Sequence, residues 1–123
     1  MNEEEKKERL FFEGLQAYEE KDFFEAHELW EELWSKYYLA DRTLIQGLIQ
    51  LAVSFVHLGN GNLNGAKSLL NKSAEKFSSF SGVHRGINID NLKNQIMEIK
   101  NEYEQLMTVD EFDWAHIPVL RSL

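Results

Sequence analysis

Two histidines, a glutamate and two glutamines recur at spacings that let a pair of helices bring them together. At 100° per residue, His27, Glu31 and Trp34 fall at about 0°, 40° and −20° around a helix axis. Gln46, Gln50 and His57 fall at about 0°, 40° and 20° on the helix that follows. Each set is a narrow polar stripe on a face that is otherwise apolar. Adjacent antiparallel helices joined by a short link face each other, so the expected result is an inter-helix network of His27, Glu31, Gln46, Gln50 and His57. Trp30 and Trp34 would wall it, with Glu28, about 100° off the stripe, at its rim.

Three kinds of chemistry are open to such a network. A hydrogen-bonded cluster that fixes helix register needs no ligand. A small pocket with indole walls binds one. His27, Glu31 and His57 also make two imidazoles and a carboxylate, the donor set of an open metal site. The second and third readings lead to different functions. One is a non-enzymatic module that binds a protein or peptide partner, with no cofactor. The alternative is a small metal- or ligand-dependent hydrolase using His27, Glu31 and His57.

Known catalytic spacings are missing. His27-Glu28-Leu29-Trp30-Glu31 has a glutamate where the zinc-protease H-E-x-x-H needs its second histidine. No Glu-x-x-His is present, so the di-iron bundle pattern fails. G-x-S-x-G, P-loop and G-x-G-x-x-G are absent too. With no cysteine there is no disulfide framework, thiolate metal site or cysteine nucleophile. His84, Arg85 and His116 fall in a loop and a tail and read as surface residues.

The elements that must position the stripes are all helical. Asn2 with Glu5, and Asp22 with Glu25, have capping-box spacing. They open a first helix to about Glu20 and a second with Phe23, Ala26, His27, Trp30, Leu33, Trp34 and Tyr37 inward. The third helix, about Asp41 to Leu58, is apolar all round, which places it in the middle of a bundle. Gly59 is its expected left-handed end. A fourth helix turns Leu63, Ala66, Leu69, Leu70, Ala74 and Phe77 inward. Residues 78–89 read as a loop. A fifth helix from Asp90 packs Leu92, Ile96, Ile99, Tyr103 and Leu106, and the tail from Phe112 to Leu123 is apolar enough to dock. Tyr18–Trp30 also aligns with Leu58–Leu70 at a spacing of 40, each with a tight turn and a central alanine. The expectation is a single all-α domain over residues 1–123, built from two antiparallel helical hairpins, a fifth helix and a docked tail.

The chain has 123 residues, 43% hydrophobic and 28% charged, with net charge −8. That composition fits one globular domain with its own core. Residues 1–41 hold 13 acidic against 5 basic residues, which accounts for the whole −8; residues 42–123 hold 8 of each. An acidic first third repels phosphate backbones, so nucleic-acid binding is not expected. The apolar run from Leu44 to Leu58 is shorter than the roughly 20 residues a bilayer requires. Met1-Asn2-Glu3-Glu4-Glu5 has no signal-peptide character. A soluble, cytoplasmic protein is expected. Oligomeric state has no signal here.

Phe24-x-Ala26-His27-Glu28-x-Trp30-Glu31-x-x-Trp34, then Gln46-Gly47-Leu48-Ile49-Gln50-x-Ala52, His57, Gly61-Asn62 and Gly65-Ala66-x-x-Leu69-Leu70, resembles the family called domain of unknown function 309. The resemblance spans roughly residues 10–106, and Gly86-Ile87-x-Ile89-Asp90-x-Leu92 is similar to the family's approach to its last helix. It implies a compact bundle of about five helices, and it supplies a fold without assigning a function. Its signature residues coincide with the polar stripes.

Overall fold

Side-chain caps set where the first helices start. Asn2 accepts from the Glu5 amide at 2.8 Å and opens α1 (Glu3–Glu19). Asp22 accepts from the Glu25 amide at 3.2 Å and opens α2 (Phe23–Lys36). α3 (Arg42–Gly59) follows a short link, and Asn62 caps α4 (Leu63–Phe77) through the Gly65 amide at 2.8 Å. α5 (Ile89–Gln105) begins one residue before Asp90, because Asn88 caps it through the Asn91 amide. The computed structural model describes residues 1–121; the expected docking of the tail's last two residues, Ser122 and Leu123, lies outside the described residues. The architecture is the expected all-α one.

Both hairpins turn in the same way. The Asp22 amide reaches back to the Ala17 carbonyl at 2.8 Å, and the Asn62 amide to the His57 carbonyl at 2.9 Å. In each, the residue before takes a left-handed conformation: Lys21 at φ 63° and Gly61 at φ 79°. This Schellman closure satisfies the last carbonyls of one helix while its final residue caps the next. The alignment at a spacing of 40 is therefore a repeated turn. One detail differs from the sequence reading. Gly59 stays helical, and Gly61 carries the left-handed conformation.

α3 packs between α2 and α4. Leu44, Ile45, Leu48, Leu51 and Ala52 are wholly buried, which suits a helix apolar on every side. Gly47 permits the α4 contact, since a Cβ there would sit 2.9 Å from the Phe77 ring. The loop at 78–89 holds a two-residue antiparallel hairpin that the sequence reading lacked, β1 (Val83–His84) with β2 (Ile87–Asn88). Arg85 (φ 52°) and Gly86 (φ 76°) make its turn. Two-residue strands are too short to show alternation. Arg85 pins the hairpin to the start of α3 through a bidentate pair with Asp41, at 2.5 and 2.9 Å.

The tail docks across α1 and α5. Tyr18 donates to the Pro118 carbonyl at 2.7 Å, and the Gln95 amide pairs with both backbone groups of Val119. Ile117 and Leu120 are buried beneath it. On its outer side His116 donates to Glu102 at 2.6 Å, and that carboxylate raises the imidazole pKa above its ordinary value.

The polar pair in the core is one the sequence reading did not single out. Ser54, on α3, donates to the Ala66 carbonyl at 2.7 Å and shares a 3.0 Å hydrogen bond with the Tyr103 hydroxyl. Ser54→Ala leaves that hydroxyl without its partner, so a loss of about 1–3 kcal/mol is expected. A urea titration monitored by circular dichroism measures it; an unchanged midpoint would show the pair to be dispensable. No described helix is long and apolar enough to cross a membrane.

Candidate functional site

The hydrophilic stripes of α2 and α3 meet over part of their length. Glu31 and Trp34 from α2, and Gln46, Ile49 and Gln50 from α3, line a cleft of about 230 Å³. Helical spacing explains the set: i and i+3 on one helix, i, i+3 and i+4 on the other, with the Tyr37–Asp41 link holding the two ends together. Arg42, in the first turn of α3, lays its guanidinium over the Trp34 ring at 3.8 Å from the centroid.

Two buried polar atoms in this cleft have no partner. The Trp34 Nε1–H donates to nothing, and Gln50 Oε1 accepts from nothing. They are the buried side-chain polar atoms left unpaired among the described residues. A buried polar group without a hydrogen bond costs about 1–3 kcal/mol, so each is a standing demand for a complementary group. Wider hollows lie beside the tail and at the two interhelix turns, lined by residues such as Tyr18, Phe24, Val56, Trp114 and His116. None of those hollows contains such an atom.

The remaining candidates lie elsewhere. Trp30 does not wall the cleft. It is wholly buried against α1, donates to the Phe11 carbonyl at 3.1 Å and fills the space above Gly14. His27 donates to the Phe24 carbonyl of its own helix at 3.3 Å and packs against the Phe24 ring. His57 accepts from the Asn62 amide at 3.4 Å and abuts Gly65 at the start of α4. Glu28 is exposed.

The physical reason for the split is length. His57 lies seven residues past Gln50, roughly 10 Å farther along α3, where the α3–α4 turn supplies its neighbours. His27, Glu31 and His57 do not converge. Among the described residues, no group of three or more His, Cys, Asp or Glu side chains is placed to hold a metal ion. The three residues of the hydrolase alternative are therefore not assembled as one metal site. What the stripes do form is a pocket lined by a carboxylate, two amides, an indole and an isoleucine, with a guanidinium stacked on the indole.

Arg42, stacked on the lining Trp34, is the neighbour of the cleft that sequence reasoning missed. Its spacing of four from Gln46 was the available signal, but it precedes the apolar run that defines the helix face.

A relative and a family model match this chain. An uncharacterized protein, YpuF, of Bacillus subtilis (strain 168) is 31% identical over 102 residues, 80% of this chain and 57% of that protein. The chain thus spans little more than half the length of that relative. Residues 11–69, from α1 into α4, hold both cleft-forming helices, and over them the chain matches the family described as domain of unknown function 309 (DUF309).

Proposed function

We propose that this chain is a non-catalytic binding module whose α2–α3 cleft takes a polar, peptide-like ligand. One observation carries the reading: a buried donor on Trp34 and a buried acceptor on Gln50 stand unpaired in one cleft. Peptide-like ligands present an acceptor and a donor together, which is what that pair requires. The acidic first third and the balanced remainder support a partner other than nucleic acid. A cytoplasmic setting belongs to the same reading.

Occupancy stabilises the folded state by mass action, about 2.7 kcal/mol at a hundredfold excess over Kd. The low-molecular-mass fraction of a cell extract should therefore raise the melting temperature of the wild type. It should leave Gln50→Leu where it was, because that variant lacks the acceptor. An equal rise in both proteins, or none in either, would remove the proposal.

A further inference from the structure

The cleft is electrically polarised, and its polarity names a ligand class. Resting on the binding reading above, we infer that the cleft recognises a small zwitterion, a short peptide. Its carboxylate lies at the Arg42–Trp34 end and its ammonium at the Glu31–Gln50 end.

Arg42, Gln46 and Gln50 follow one another at four-residue steps, each a rise of about 6 Å along one face of α3. α2 runs the opposite way. Trp34 is therefore beside Arg42, as the 3.8 Å stacking shows, and Glu31, almost a turn earlier in α2, lies toward Gln50. One end of the cleft holds the unpaired indole N–H, and the guanidinium is stacked on the same ring at its edge. The other gathers acceptors: a carboxylate and the unpaired amide oxygen. Gln46 lies between them and can donate or accept. Neither Arg42 nor Glu31 forms an ion pair with any described residue. Both charges are therefore available to a ligand.

Simpler ligands each fall short. An anion alone leaves the Gln50 oxygen unpaired and meets the Glu31 carboxylate. A cation alone leaves the indole N–H unpaired and meets Arg42. A neutral amide serves the two hydrogen bonds and neither charge. A zwitterion meets all four groups, with charge-assisted hydrogen bonds at both ends. The space, about 230 Å³, lies below the range typical of drug-sized ligands, which suits a molecule of this size. Both unpaired atoms are buried, so a side chain of the cleft must move for a ligand to reach them.

The test uses the ¹⁵N-labelled full chain and follows the indole N–H signal of Trp34, assigned with Trp34→Phe. Glycylglycine, triglycine and a set of other di- and tripeptides are titrated singly. N-acetylated, C-amidated counterparts follow. At least one zwitterion should shift the Trp34 signal saturably while Trp30 and Trp114 stay still. Its blocked counterpart should bind about tenfold more weakly or worse, and Arg42→Gln and Glu31→Gln should each weaken the zwitterion about tenfold. Blocked compounds that bind as tightly would overturn the zwitterion assignment and leave peptide-like binding standing. Zwitterions that leave Trp34 unmoved, while cell extract still raises the melting temperature, would do the same. Silence from every compound and from the extract would overturn both.

Discussion

Trp30→Ala is expected to bring the protein close to unfolding, with a loss of about 3–5 kcal/mol, the range seen when a large aromatic is truncated in a core. Trp30 is the largest of the fully buried side chains. Its indole lies 6.1 Å from the Tyr18 ring and donates to the Phe11 carbonyl. A Cβ on Gly14 would come within 2.3 Å of its nitrogen, so α1 has been cut back to admit it. Domains of this size have total stabilities of about 5–15 kcal/mol. A melting temperature lower by roughly 15 °C is the corresponding readout. A loss under about 1 kcal/mol would show that the core collapses around the vacancy, contrary to close packing of α1 on α2. Because Trp30 faces α1, Trp30→Phe should retain ligand binding in the cleft.

Alkaline pH should undo the core from a second direction. Tyr18 and Tyr103 are both buried, and burial pushes the Tyr103 hydroxyl up to about 12 and that of Tyr18 well above its ordinary value. Unfolded tyrosines lose their proton near pH 10, while these two keep theirs in the folded state. The unfolded state then binds fewer protons, so stability falls as pH rises. It is fully present below about pH 10. Each tyrosine contributes a slope of about 1.4 kcal/mol per pH unit, so Tyr103 alone accounts for about 3 kcal/mol by pH 12. Urea midpoints collected from pH 9 upward should fall steeply beyond pH 10, and Tyr103→Phe should flatten the fall. That variant keeps the Ser54 hydrogen bond to the Ala66 carbonyl, so its neutral-pH cost is small. A midpoint that stays level through this window would contradict the burial of both hydroxyls.

Much of the fold was legible because helices announce themselves through periodicity and caps. Asn2, Asp22 and Asn62 sit at side-chain-capped helix starts, and the hairpin turns at Lys21-Asp22 and Gly61-Asn62 follow the same spacing. Apolarity on every side put α3 in the middle, where it lies. Periodicity gives the face a residue occupies and says little about what it meets there. Trp30 and Trp34 differ by only four residues, yet one packs on α1 and the other opens onto the cleft. His57 shares an angle with Gln46 but lies too far along the axis to share its neighbours. Ser54 was hidden in an apolar run, because a serine there carries no signal until Ala66 and Tyr103 are placed around it. Gly14 reads as a mid-helix glycine until an indole nitrogen is found above it. The β1–β2 turn depends on the left-handed Arg85, which no pattern marks.

Unliganded Gln50→Leu is the variant that tests the site most directly, read by thermal or urea unfolding against the wild type. A cleft kept for a ligand holds the Gln50 oxygen at a cost. Replacing the amide by an apolar side chain of similar size should then leave stability equal, or raise it by about 1 kcal/mol. If instead the variant loses more than about 1 kcal/mol, the amide is a structural tie between α2 and α3, and the cleft is part of the scaffold rather than a binding site.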